Sequence, residues 1–382
     1  MAELRKDPIT GEWVIIAPDR AARPFDHKEN GREENTHVTS LDVCPFCLGN
    51  ESETPDSVLT IAGPDDSEDW AVRIIPNRYP AVGLAMQVVP ASKFFEQTAA
   101  VGYHEVIVES PSHERAMRDL PVDQISRVLR AWRDRLTIVS ADKHVAHTMI
   151  FKNEGAAAGA SLEHVHSQLL ATSFVPPRME AELAAGQKYF EETGNSIRAE
   201  MLDQELADGS RIVATTDQFI LHCPFASRFS GQMEISPRAS ASGFESATGS
   251  ELTALAQLLR KSLQSLNEVF PAAPFNLELH TAPPRDARSP ACHWHLTITP
   301  RLTGIAGFEI STGSTSPPRK MRQPDTARRS TTTEKLIDAP DVLKIAVQFG
   351  SPSLGQWQIP AGSAGWHRLL ELPSTRLRRP SF

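Results

Sequence analysis

Two short histidine pairs, His164-Val165-His166 and His293-Trp294-His295, constrain this fold more than any other feature of the chain. Each follows an apolar strand and a loop, and each runs on into a second apolar strand. The same strand–loop–His-x-His–strand order in both halves points to internal duplication of one α+β unit. The surrounding pattern agrees. Residues 12–17, 71–75, 104–109 and 147–152 are apolar-rich, of strand length and bounded by Pro, Gly or Asn. Ile125, Val128, Leu129, Trp132, Leu136 and Val139 recur at helical spacing, which predicts an amphipathic helix over 122–139. The second half repeats the scheme. Strands are expected near 218–222, 232–236, 276–281 and 293–299, and a helix carries Leu252, Leu255, Leu259, Leu263 and Leu266 on one face. The units expected are residues 1–175 and 176–313, followed by an irregular tail over 314–382.

A chain of 382 residues has ample core for two such units. Its formal net charge of -8 leaves no basic face of the kind nucleic acid requires, although a few arginines and backbone N–H groups can still converge on a phosphate. The opening MAELRKDPITGEW has no apolar secretory core, and no apolar run approaches the roughly 20 residues of a membrane helix. The expectation is a soluble cytoplasmic protein with no nucleic-acid or membrane partner. Four cysteines are too few for a disulfide framework, and two of them form the pair Cys44-x-x-Cys47 that suggests metal or redox chemistry.

Residues 151–171 carry the chemistry. In an extended strand, residues two apart share a face, so His164, His166 and Gln168 point one way. Before them, the stretch from Gly155 to Gly159 is small enough for backbone N–H groups to approach a phosphate, and Asn153 and Ser161 add side-chain donors. Imidazole is a good nucleophile towards phosphorus near neutral pH, and the N–P bond it forms is labile. Transfer between two phosphates needs positioning and charge neutralisation rather than a strong acid or base. The plain alternative is a pair of ordinary strand histidines beside a hairpin.

The segment NEGAAAGASLEHVHSQ resembles the active-site segment of galactose-1-phosphate uridylyltransferases of the histidine-triad superfamily, N-x-G-x-x-x-G-x-S followed by H-x-H-x-Q. RKDPITGEWVIIAPDRAARP, CPFC, IIPNRYPAV, HEVIVES, PFASRF and HWHLTITPRLTGIAGFE extend the resemblance over roughly residues 4 to 313. It implies an α+β fold of two tandem histidine-triad-like units, each a mainly antiparallel sheet with flanking helices. It also implies that His166 is the nucleophile and that Gln168 holds the transferred phosphoryl group. Arg20, Arg23, Asn77, Asn153, Gly159 and Ser161 would line the nucleotide site, and Glu309 would contact the hexose. The implied reaction is ping-pong. UDP-glucose gives uridylyl-His166 and glucose 1-phosphate, and galactose 1-phosphate then removes the uridylyl group. The partners are thus a nucleotide sugar and a hexose 1-phosphate, with a homodimer as the expected assembly. Two alternatives stay open: a phosphorylase passing AMP from ADP-glucose to phosphate, and a nucleotide-sugar binding protein without turnover.

The resemblance also completes a zinc site, adding His113 and His164 to Cys44 and Cys47. One zinc is expected. In the second half Glu182 and His280 match a further metal site of one family branch, but Thr297 and Thr299 stand where histidines would be, and His293 and His295 read as wall residues. After Gly313 the family pattern of Phe-Tyr-Ile and then Glu-Asp-Ala-Ala is missing. A displaced reading frame through Ser314–Ser316 and Arg319–Gln323 recovers both, so a frameshifted tail from about Ser314 is expected.

Overall fold

Alternating apolar residues build thirteen strands and five helices among the residues that the computed structural model describes, namely 2–22, 44–63, 69–85, 92 and 94–315. Arg23 and residues 316–382, which hold nearly all of the expected frameshifted tail, lie outside the described residues. The first half contains β1 (Glu3–Lys6), β2 (Trp13–Ile16), β3 (Leu59–Ala62), β4 (Trp70–Pro76), β5 (Gln97–Ala99), β6 (Gly102–Val108), α1 (Val122–Ser140), β7 (His147–Glu154) and β8 (His166–Thr172). Next come α2 (Pro177–Thr193) and α3 (Ile197–Asp208). The second half continues with β9 (Ile212–Thr215), β10 (Phe219–His222), β11 (Met233–Pro237), α4 (Gly249–Val269), β12 (Phe275–His280), β13 (His295–Pro300) and α5 (Gly307–Thr312).

Ten strands make one sheet in the order β3-β4-β6-β8-β7-β12-β13-β11-β10-β9, and β2-β1-β5 make a smaller one. The large sheet reads the same from either end, because β7 and β12 pair antiparallel at its centre and each strand on one side has a counterpart on the other. Matching His166 to His295 makes Gln168 the counterpart of Thr297. The ladder registers then make Phe151 the counterpart of Glu278, and these two are direct partners across the central join. A pseudo-twofold axis passes through that pair. The two units expected from the histidine pairs are therefore fused edge to edge into one sheet rather than standing as separate sheets.

Period-2 alternation gives the sheet two different faces. Ser167, Leu169, Ala171, Leu277, Leu279, Leu296 and Ile298 are buried beneath α1 and α4, which pack on each other. The apolar positions read from spacing, from Ile125 to Val139 in α1 and from Leu252 to Leu266 in α4, are all buried there. Thr248 opens α4 with a capping box closed by Glu251. Trp132 is fully buried, and its indole N–H donates to Ser167 Oγ at 2.9 Å, tying α1 to the start of β8. His166 and Gln168 face the other way.

Three differences from expectation have physical reasons. β8 and β13 begin at His166 and His295, so His164 and His293 lie in the loops that enter the strands. Helices α2 and α3 were not expected, because they lack an apolar stripe: α2 buries only Gly186, and α3 only Leu202 and Glu205. The short edge strands β3 and β9 are held by their ladder partners rather than by a run of their own. Replacing Trp132 with Ala removes a buried ring and orphans Ser167, which should cost about 3–5 kcal/mol of unfolding free energy. Chemical denaturation of the variant measures this; a loss under about 1 kcal/mol would mean that α1 does not anchor β8.

Candidate active site

Strand β7 ends at Glu154, and the chain turns back through a loop before entering β8. Gly159 has φ +91°, a left-handed conformation that only glycine adopts cheaply, so its place in the loop is a backbone requirement. The loop is pinned from the other half. Asn276 on β12 donates through Nδ2 to Ala158 O at 2.9 Å and to Asn153 Oδ1 at 2.8 Å. Because a carbonyl can only accept, the Ala158 contact fixes the orientation of the Asn276 amide. That in turn makes oxygen the Asn153 atom it meets, and leaves the Asn153 amine for other partners.

His166 enters β8 with a 2.7 Å hydrogen bond from its Nδ1 to the carbonyl oxygen of His164. The carbonyl can only accept, so the ring carries its proton on Nδ1 and the neutral imidazole has its lone pair on Nε2. Two residues on, Gln168 is fixed in a similar way. The Ala81 backbone N–H donates to His104 Nδ1 at 2.9 Å, so the His104 proton sits on Nε2, 3.0 Å from Gln168 Oε1. The carboxamide oxygen is thus engaged, and the amide N–H₂ of Gln168 is the end left to act as donor.

A cavity of about 550 Å³ holds His166, Gln168, Asn77, Tyr79, Phe46 and Ser161 in its wall. A second, of about 450 Å³, contains Arg20, His104 and Asn153 and shares Gln168 with the first. Arg20 donates to Tyr79 O at 3.0 Å, and the Tyr79 backbone N–H donates to Asn77 Oδ1 at 2.9 Å, so these three form one hydrogen-bonded wall. Five of the expected nucleotide and catalytic residues, together with Gly159 in the adjoining loop, thus converge around Gln168. Glu309 does not join them: its carboxylate accepts from the Ala306 N–H at 3.2 Å and caps the first turn of α5.

Behind His166 lie Cys44, Cys47, His113 and His164, whose donor atoms all fall within 4.8 Å of one another. The sulfur–nitrogen distances are 3.5 Å (Cys44–His164), 3.4 Å (Cys47–His113) and 3.6 Å (Cys47–His164). A tetrahedral ion with two thiolate and two imidazole ligands at ordinary bond lengths sets such edges at about 3.6 Å, so the four residues fit a metal ion. His164 donates from Nε2 to Ser110 O at 2.9 Å, which turns the Nδ1 lone pair towards the sulfurs. Burial pushes His164 down to about 4, so its ring is neutral at physiological pH, and burial with the neighbouring Cys44 charge pushes the Cys47 thiol up to about 11. Such a thiol ionises readily only beside a cation.

On the helix side of the sheet, Lys152 and Glu109 are 1% and 0% exposed and form an ion pair at 2.8 Å. Lys152 Nζ also donates to the carbonyl oxygen of His166 at 3.0 Å. Sequence reasoning missed this pair, together with His104 and Asn276. HEVIVES contains His104 and Glu109, but their roles depend on partners many residues away.

In the second half His295 stands in a cavity wall, as expected. β13 starts at this residue, so His295 and Thr297 project on the same side as Glu182 from α2, and Glu182, His280 and His295 bring their donor atoms within 4.8 Å. His295 thus belongs to a cluster as well as to the wall, and its ring stacks on His280 at 4.3 Å. Burial, and next the Arg198 charge, hold its ring well below the usual histidine range. His293 lies outside the cluster and donates to Pro237 O at 3.0 Å.

Comparison with known proteins adds the following. Residues 1–176 match the family described as galactose-1-phosphate uridyl transferase, N-terminal domain, and residues 122–331 match a domain of unknown function (DUF4921). The chain is 33% identical to ADP-glucose phosphorylase of Arabidopsis thaliana over 316 residues, covering 81% of this chain and 88% of that protein. It is 27% identical to galactose-1-phosphate uridylyltransferase of Thermotoga maritima over 322 residues, covering 82% and 93%. The crystal structure of an Arabidopsis ADP-glucose phosphorylase with bound ADP-glucose superposes with a TM-score of 0.64 at 31% identity, over 84% of this chain and 95% of that one. A mutant uridylyltransferase superposes with a TM-score of 0.68 at 26% identity, over 83% and 94%.

The geometry behind His166 makes a direct prediction. The native protein should retain one tightly held divalent ion on Cys44, Cys47, His113 and His164 through gel filtration, and Cys47→Ala should lose it and melt at lower temperature. Elemental analysis by mass spectrometry decides. A variant with unchanged metal content would show that the cluster is not a metal site.

Proposed function

The chain belongs to the galactose-1-phosphate uridylyltransferase family of nucleotidyltransferases, and on that premise we propose that it moves an adenylyl group from ADP-glucose to phosphate through His166. The observation that carries the transfer is the Nδ1 hydrogen bond of His166 to His164 O, which leaves the Nε2 lone pair beside Gln168 in a walled cavity. Adenine is favoured over uracil by the 33% identity to the Arabidopsis phosphorylase, against 27% for the Thermotoga uridylyltransferase. The uridylyl reaction from UDP-glucose to galactose 1-phosphate is the second reading, supported by the uridyl transferase match over residues 1–176.

His166 Nε2 attacks the α-phosphorus and an N–P bond forms. The bond from that phosphorus to the bridging oxygen breaks, and glucose 1-phosphate departs with the oxygen and its electron pair. Phosphate then attacks the same phosphorus, the N–P electron pair returns to Nε2, and ADP leaves. Both the leaving and the attacking group are anions, so the protein supplies placement and donors rather than a strong acid or base. The Gln168 amide N–H₂ donates to a non-bridging oxygen of the transferred group. Arg20, Asn77, Asn153, Ser161 and the backbone at Gly159 hold the nucleotide, with Arg23 three residues after Arg20 in sequence; Glu309, which caps α5, is given no part in this reading. Zinc is the ion we assign to Cys44, Cys47, His113 and His164, where its charge would hold the His164 carbonyl that orients His166.

Incubation with α-³²P-labelled ADP-glucose and, in parallel, UDP-glucose should leave label on the protein that is labile to acid and stable to base. His166→Gly should remain folded and carry none. Label retained on His166→Gly would refute the covalent mechanism. Preferential labelling by UDP-glucose would reverse the assignment of the base and leave the role of His166 intact.

A further inference from the structure

The second half carries an arginine where the cluster chemistry calls for a metal. Its cluster mirrors the active site. With His166 matched to His295, the ladder registers place Thr297 at the position of Gln168 and His280 at the position of Asn153. Glu182 reaches over this group from α2, and Arg198 reaches in from α3. The Arg198 guanidinium places Nη2 at 3.2 Å from His295 Nε2 and 3.3 Å from Glu182 Oε1, and Nη1 at 2.9 Å from Glu234 Oε2. His280 Nδ1 lies 3.7 Å from the other oxygen of Glu182.

A guanidinium only donates, so His295 Nε2 accepts from it and its lone pair is directed at Arg198. A divalent ion would bind along that same lone pair at about 2.0–2.1 Å, in the gap that Nη2 now closes. Ion and guanidinium therefore exclude one another. The charge fits as well, because one fixed positive charge sits between the carboxylates of Glu182 and Glu234. The neighbourhood remains rich in metal-type donors. His147 is 4% exposed, lines both cavities at this cluster, and has no hydrogen-bond partner for either ring nitrogen among the described residues.

We propose that Arg198 is the resident cation of the second half: its guanidinium fills the divalent-ion position between Glu182, His280 and His295, closes that position to metal, and masks a latent site that its removal opens. The arginine also caps the nitrogen that corresponds to the nucleophilic Nε2 of His166, so the second copy of the histidine is unavailable to a phosphorus centre.

The test is metal stoichiometry on full-length protein stripped with chelator and titrated with Co²⁺, read by elemental analysis and by the visible absorption of bound cobalt. The increment between proteins is the readout, so the result does not depend on how the Cys44 cluster loads. Arg198→Ala should bind one more equivalent of Co²⁺ than the native chain. The double variant Arg198→Ala with His295→Ala should lose that equivalent, and Arg198→Lys, which keeps a cation, should not gain it. The native chain with His295→Ala needs no change at Arg198 and should bind as much Co²⁺ as native. Loss of an equivalent in that variant would mean the native cluster already holds metal, and would overturn the proposal. So would an Arg198→Ala chain that folds and gains nothing.

Discussion

The 2.7 Å hydrogen bond from His166 Nδ1 to the carbonyl oxygen of His164 is the contact on which the chemistry of the first half depends. It selects the imidazole tautomer, and it aims the ring by tying it to the backbone rather than to another mobile side chain. The same residue that offers this carbonyl also belongs to the Cys44, Cys47 and His113 cluster through its own ring, and is fixed on its far side by Ser110 O. Orientation of the His166 ring is therefore inherited from the cluster to which His164 belongs. Such indirect anchoring holds a geometry without placing a second charged group in the path of the substrate.

The helix side of the same strand carries an opposite kind of investment. Lys152 and Glu109 are both buried, and removing two charges from solvent is costly unless the geometry is good. The pseudo-twofold shows that the fold does not require them, because the ladder registers make Leu279 the counterpart of Lys152, and Leu279 is ordinary core. What distinguishes Lys152 is its second hydrogen bond, to the His166 carbonyl. His166 is thereby held at two points, its ring by the His164 carbonyl and its own carbonyl by Lys152. The pair is best understood as positioning, at a cost that the second half avoids.

Much of this was legible in the chain. The two His-x-His pairs stand at matched places in a sheet whose strand order repeats about its centre, and the apolar spacing in α1 and α4 located the helices that cover one face. The ligand-type residues Cys44, Cys47, His113 and His164 lie far apart in sequence and still meet. What escaped was whatever depends on pairing between distant strands. Asn276 acts on a loop more than a hundred residues away because β7 and β12 lie side by side, and no local pattern encodes that join. His104 matters only because an N–H from Ala81 fixes its tautomer. Helices α2 and α3 bury almost nothing, so the period that reveals an amphipathic helix was absent.

The central ladder, in which Phe151 meets its own counterpart Glu278, has the geometry of a contact between two identical subunits: each side presents the same strand to the other, in the same register. In an assembly of separate identical chains, a substitution near such a contact appears twice and is selected twice. Joined in one polypeptide, the copies become separate loci. One half carries an arginine over its histidine and a leucine at the matched core position, while the other carries a lysine there and an imidazole facing a cavity, and the shared sheet accommodates both. Covalent linkage here acts as permission for the two halves to differ, position by position, while sharing one sheet.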